Sequence, residues 1–313
     1  MSKLNDVSTG VDDAGAQFPP SAGNATGTRV AFVALVTGAV AMGVSPVFVR
    51  VAEVGPYASA FWRVFLALPF LWAWASLEQR SLSVIRGWSW PIGIAGVLFA
   101  GDLIFWHLAI IHTSIANATF LATLAPVWVL LGSHVILREP TSRNMWIGLL
   151  ACLLGAGALV GANLGIAPER LLGDVFGLIT SVFFGAYILA TRYVRRSLGP
   201  GGLMFRSSLV TAVALFVAAV MLDDGFIPGS WQGGAALVAL ALLAHAAGQG
   251  LLAFSLGRLT AGFSALVIFL EALTAAVFAW FALGEALTIL QIAGGLLILT
   301  GIWIARPGKS FAQ

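Results

Sequence analysis

The chain has 313 residues, of which 59% are hydrophobic and 9% charged. A soluble domain carries about 25% charged residues, so this composition excludes a water-facing globular surface and points to lipid as the solvent. The net charge of +3 does not mark a nucleic-acid binder, because the sixteen basic residues stand singly between apolar blocks.

Residues 1–29 are polar and rich in Gly, Ser, Asp and Pro. They read as a disordered cytoplasmic tail, without the apolar core of a cleavable signal. Ten apolar segments follow, near 30–50, 57–77, 91–111, 115–136, 145–163, 174–194, 201–222, 235–256, 260–282 and 287–305. Each is close to the roughly 20 residues that cross a bilayer as a helix. The predicted fold is an all-α integral membrane protein of ten transmembrane helices.

Orientation follows from Lys and Arg in the short connections. With the N-terminus inside, twelve basic residues fall on the cytoplasmic side and two, Arg50 and Arg170, outside. Both termini are then cytoplasmic. Arg63 and Arg206 lie within spans, about a turn from a boundary, where long side chains can snorkel to the interface. Most Trp residues fall near a span end, as interfacial anchors do. Trp106 and Trp128 lie deeper.

The chain repeats itself. A shift of 146 places Glu139 on Glu285, Gly148 on Gly294 and Gly155 on Gly301. Earlier in each half the offset shortens: AFWR ending at Arg63 matches LMFR ending at Arg206, and MGVSPVFVR ending at Arg50 matches FGAYILATR ending at Arg192. The predicted units are a first repeat at 30–163, an outside linker at 164–173, a second repeat at 174–305 and a cytoplasmic tail at 306–313. Five helices per repeat is an odd number, so the second copy enters the membrane inverted. Inverted repeats are characteristic of secondary transporters.

Two stretches, HTSIANATFLATLAPVWVLLGSHVILREPT and GRLTAGFSALVIFLEALTAAVFAWFALGEALT, end each fourth helix of a repeat in a Glu just before a Gly-rich last helix. In this the chain resembles the ten-helix EamA-type branch of the drug/metabolite transporter superfamily, over about residues 30–306. Within it the chain resembles bacterial aromatic amino acid exporters of the YddG type. The resemblance implies a basket of helices around a central cavity, export from the cytoplasm, and hydrophobic or amino-acid-like cargo.

An ionisable residue deep in a membrane helix costs at least about 2.5–3.5 kcal/mol, so it lines a cavity or has a partner. Asp102, His245 and Glu271 lie mid-span in the third, eighth and ninth helices, with Gln249 one turn from His245. Asp102 and Glu271 read either as groups that bind a substrate ammonium or carry a proton, or as interhelical hydrogen bonds. His245 can meet a carboxylate or titrate near neutrality, or simply pack. Trp106, one turn from Asp102, is a candidate cavity wall, as are Phe183 and Tyr187 of the sixth helix. Pro46 and Pro126 break backbone hydrogen bonds within spans and are candidate hinges. Glu139 and Glu285 read as helix caps or partners of loop donors, and Asp223-Asp224 as a solvated loop.

Lys occurs only at 3 and 309, so no Walker A lysine is possible; H-E-x-x-H and G-x-S-x-G are also missing. No metal site or cofactor is expected. The leading expectation is a monomeric secondary transporter of the bacterial inner membrane, not an enzyme. Its expected partners are a small-molecule substrate and membrane lipid. A polytopic enzyme using the midplane polar residues, or a channel, is the alternative.

Overall fold

The computed structural model describes residues 25–79, 88–161, 168–283 and 288–306; among these residues the fold is all helical, with no strand. The N-terminal tail up to residue 24, Arg80, Arg86, Glu285 and the tail beyond 306 lie outside the described residues. In the first repeat, α1 (Ala25–Gly43) and α2 (Ser45–Val51) form span 1, and α3 (Pro56–Phe65) and α4 (Leu68–Gln79) form span 2. Span 3 is α5 (Trp90–His112), span 4 is α6 (Ile115–Ala122) with α7 (Ala125–Val135), and span 5 is α8 (Arg143–Val160). In the second repeat, α9 (Leu171–Val194) is span 6 and α10 (Pro200–Leu222) span 7. Span 8 joins α11 (Trp231–Ala239), a π-helical stretch (Leu240–Gln249) and α12 (Gly250–Ser255). Span 9 is α13 (Ala261–Val267) with α14 (Leu270–Leu283), and span 10 is α15 (Ile289–Ile304). Nine of these are long and apolar enough to cross a bilayer, and α15 is a shorter tenth of 16 residues.

Local chemistry sets where the helices begin. Pro stands in the first turn of α2, α3, α5, α7 and α10, where its missing N–H costs nothing. Ser114, Ser142, Ser230, Thr260 and Thr288 accept backbone N–H groups as N-caps. Thr260 stands 146 residues after Ser114, and Thr288 stands 146 after Ser142, so the repeat is preserved down to its caps. Span 8 begins at Trp231, ahead of its predicted start, because Ser230 caps a first turn too polar for an apolar count to include. Span 6 begins at Leu171 after a single 3₁₀ turn, Pro168–Arg170.

The packing of α8 on α15 demonstrates the inversion. A Cβ on Gly148 would lie 2.5 Å from the Gly301 carbonyl oxygen, and one on Gly155 would lie 2.6 Å from that of Gly294. The numbering runs in opposite directions along the shared seam, so the helices are antiparallel. Gly148 and Gly294 are repeat mates, as are Gly155 and Gly301, so each contact is the image of the other. Cys152 Sγ lies 3.6 Å from the carbonyl of Ile298, its own repeat mate 146 residues later. A pseudo-two-fold axis therefore passes through this seam. The same symmetry pairs α5 against α9 with span 8 against α1.

One departure from symmetry is the π stretch. Spans 3 and 8 both open on Ser-Trp, at Ser89-Trp90 and Ser230-Trp231, 141 residues apart, while the caps that follow them are 146 apart. The second copy thus holds five extra residues between these landmarks (146 − 141). Span 8 runs 25 residues against 23 in span 3, and it winds into the wider π turn that frequently accompanies functional sites.

Candidate functional site

Spans 1, 4 and 9 are interrupted near mid-depth, and the interruptions face one another around a cavity with about 90 Å³ of water-accessible space. In span 1 the break falls at Val44, and Pro46 begins the next helical segment rather than kinking a continuous one. In span 4 it falls at Thr123-Leu124, ahead of Pro126. In span 9 it falls at Ile268-Phe269, so Glu271 lies in the first turn of α14, where the helix dipole favours a negative charge. Irregular backbone at membrane depth is tolerated only inside protein or beside water, and here it lines the cavity.

Asp102, Trp106, Gln249, Glu271, Pro46 and Pro126 all line this cavity. His245, Tyr187 and Phe183 do not. His245 is fully buried behind the wall, its Nε2 2.8 Å from Ser208 Oγ and its ring 5.3 Å from Phe99. Tyr187 is buried with its hydroxyl directed at Met204 Sδ, 3.7 Å away. Phe183 packs on Phe105 and over Gly101, where a Cβ would meet its ring. These three support the wall from behind. Their depth is legible in the sequence, but the rotation of each helix face is not.

Arg63 also departs from its sequence reading. It is buried (5% exposed) and lines the cavity instead of snorkelling outward. The reason lies above it: Trp62 donates its indole N–H to the Phe226 carbonyl, and Asp223 accepts the Ala58 backbone N–H at 2.5 Å. This closes the loop after α10 over the start of α3. Asp223, read as solvated, is therefore a cap for the N-terminal turn of α3. Its partial burial raises its pKa above the usual carboxylate value, against the lowering effect of backbone N–H groups of Ala58 and Tyr57. Arg63 faces Asp102 and Glu271 within electrostatic reach, so the cavity holds one guanidinium and two carboxylates.

Met42 to Pro46, Arg63, Trp106 and Thr119 to Thr123 line the cavity toward the bundle end that carries Val51, Pro56, His112 and Ile115, Asp102 lies at mid-depth, and Ile188, Gln249 and Ala265 extend the lining into the other half. The opposite end is closed by a polar cluster. Glu139 Oε1 accepts from Arg192 Nε at 2.6 Å, and Oε2 accepts the Ala261 backbone N–H at 2.9 Å. Arg192 donates on to the Leu256 carbonyl, and Arg196 to that of Leu137. Spans 4, 6, 8 and 9 are tied together at this point. Arg138, at φ 55°, turns the end of span 4 so that Glu139 N–H reaches back to the Ser133 carbonyl. Arg195 adds bonds to the carbonyls of Ala253 and Leu198, and burial brings its pKa down to about 10 despite the opposing Glu78 carboxylate. Among the described residues no His/Cys/Asp/Glu group could hold a metal ion.

Inverted repeats, spans broken at depth and a polar cavity beside those breaks are the architecture of a membrane transporter. The model of the EamA-like transporter family matches residues 29–161 and 171–306, one match per repeat, and the chain belongs to that family. No curated protein matches the chain in sequence. A solved crystal structure superposes on 90% of this chain and 96% of its own, with a TM-score of 0.76 at 20% identity, which establishes a shared fold.

Proposed function

We propose that the protein exports amino acids or related amphipathic metabolites, with aromatic or hydrophobic side chains favoured, across a bacterial inner membrane by alternating access. The observation that carries this reading is the contrast between a polar cavity at mid-depth, lined largely from one half, and a hydrogen-bonded ionic closure at the opposite end. The basic residues concentrate at the closed end, which by the positive-inside rule faces the cytoplasm. The cavity is then in an outward-facing arrangement, with both termini inside. Apolar walls from Trp106, Phe184 and Phe269 suit a hydrophobic side chain, while the charged groups suit a polar head. The chain functions as a monomer in this scheme, because each repeat supplies residues to the one cavity.

Uptake of labelled phenylalanine into proteoliposomes holding the purified protein tests the reading. Saturable accumulation of unchanged phenylalanine, with counterflow on preloading, is the expected result. Flux that never saturates would identify a channel, and a chemically altered solute would identify an enzyme.

A further inference from the structure

We infer that the cavity recognises a zwitterion at both of its ends, with Arg63 taking a carboxylate and Asp102 and Glu271 taking an ammonium. This rests on the reading of the cavity as the cargo site. Arg63 lies within the membrane span and is nine-tenths buried, yet its Nε has no hydrogen-bond partner. Leaving a buried guanidinium donor unpaired is costly, and the cavity it lines is the place from which a partner can come. Gln249 shows the same deficit: its amide nitrogen contacts Met42 Sδ, while its Oε1 has no partner.

The comparison within the protein is direct. At the closed end, Glu139 and Arg192 meet at 2.6 Å and satisfy each other. In the cavity, Arg63 faces two carboxylates and comes within 4 Å of neither. These three charged side chains line the same cavity without a direct contact pair between the guanidinium and either carboxylate. A guanidinium presents a planar fork that matches a carboxylate in two places. An ammonium set between Asp102 and Glu271 neutralises repulsion between them and can also donate to Gln249 Oε1. The zwitterion leaves the summed charge of the site unchanged. A lone carboxylic acid adds a third negative charge, and a lone amine leaves Arg63 unpaired. The ligand class is an α-amino acid with an uncharged, apolar side chain.

Competition against labelled phenylalanine on the full-length protein in nanodiscs tests this, using phenethylamine, which lacks the carboxylate, and 3-phenylpropionate, which lacks the ammonium. Each analogue is expected to bind about tenfold or more weakly than phenylalanine, the scale of one lost charge-assisted hydrogen bond. Arg63→Lys, which keeps the charge and loses the fork, should weaken phenylalanine while leaving competition by phenethylamine unchanged. Phenethylamine competing as well as phenylalanine would overturn the inference, as would an Arg63→Lys protein that weakens both ligands equally. Saturable binding with equal affinities overturns the zwitterion assignment alone. Failure of all three compounds to bind saturably overturns the cargo-site reading as well.

Discussion

Gly43 in span 1 and Gly185 in span 6 are repeat mates, and each lets its helix press onto a backbone carbonyl of the span beside it. A Cβ on Gly43 would meet the Glu271 oxygen at 2.8 Å, and one on Gly185 would meet the Ala125 oxygen at 3.0 Å. Glu271 and Ala125 are themselves 146 residues apart, so the two crossings are images of one another. The backbone has been duplicated faithfully, while the chemistry has not: one crossing carries a carboxylate and the other a methyl group. Asp102, likewise, is buried polar in span 3, whereas span 8 answers with a π stretch carrying His245 and Gln249. The lesson is that symmetry supplies two related shapes and asymmetry supplies one binding site. In the function proposed above, cargo stays at one set of charged groups while the surrounding spans exchange which end is closed.

The comparison can be broken most severely at the two-fold seam. Gly155→Leu and Gly301→Leu drive a side chain into backbone across α8 and α15, and both should lose most folded protein in detergent. Overpacking of this kind costs at least about 1–3 kcal/mol, and here there is backbone on the far side. Gly93→Leu and Gly234→Leu, which meet nothing within 4 Å, should fold normally. Thermal unfolding followed by fluorescence size exclusion checks both pairs, and equal losses in all four would deny the seam its role.

The next effect concerns the closed end. Glu139→Gln removes the carboxylate that joins Arg192 to the start of α13, and breaking a largely buried pair costs about 3–5 kcal/mol in the state that contains it. The expected outcome is a shift toward a form open at the Glu139 end, seen as faster labelling of the cavity from that side, with phenylalanine binding retained.

A smaller effect separates the loop ties from the cavity. Asp223→Asn weakens the cap on α3 and should cost about 1 kcal/mol. The pH dependence follows from the raised pKa of Asp223. In the folded state it holds its proton to higher pH than in the unfolded chain, so its contribution to stability falls as pH rises from about 4 through the raised value. Unfolding midpoints of the parent protein and Asp223→Asn across that window should converge at the higher pH. Parallel curves would show that Asp223 is not the titrating group.

Much of this architecture is legible in the sequence because lipid imposes simple rules. Ten apolar runs, the 146-residue shift and the odd number of helices per copy are enough to predict an inverted pair. Asp102 and Glu271 stand out because a carboxylate in an apolar run has few places to go. What the sequence hides depends on helix rotation and on long-range contacts. His245 is as deep as Asp102, yet it points behind the wall toward Ser208. Arg63 looks like a snorkelling residue until the loop at Asp223 and Phe226, more than 160 residues away, is seen to cover its end of the helix. The break in span 9 that presents Glu271 has no proline of its own. Its only signal is equivalence to the Thr123–Pro126 break in span 4. The π stretch is likewise visible only when the landmarks of spans 3 and 8 are counted against each other.

The central claim is that one cavity opens to one side at a time, and sided labelling of a cysteine placed in it tests that most directly. Cys152 is the only cysteine and is buried, so Thr119→Cys on a Cys152→Ala background gives a single reporter in the cavity wall. Faster reaction with a membrane-impermeant maleimide is expected from the side opposite Glu139. Phenylalanine should protect the cysteine, and the Glu139→Gln protein should react faster from the Glu139 side. Equal rates from both sides, unaffected by phenylalanine or by Glu139→Gln, would describe an open pore and contradict that claim.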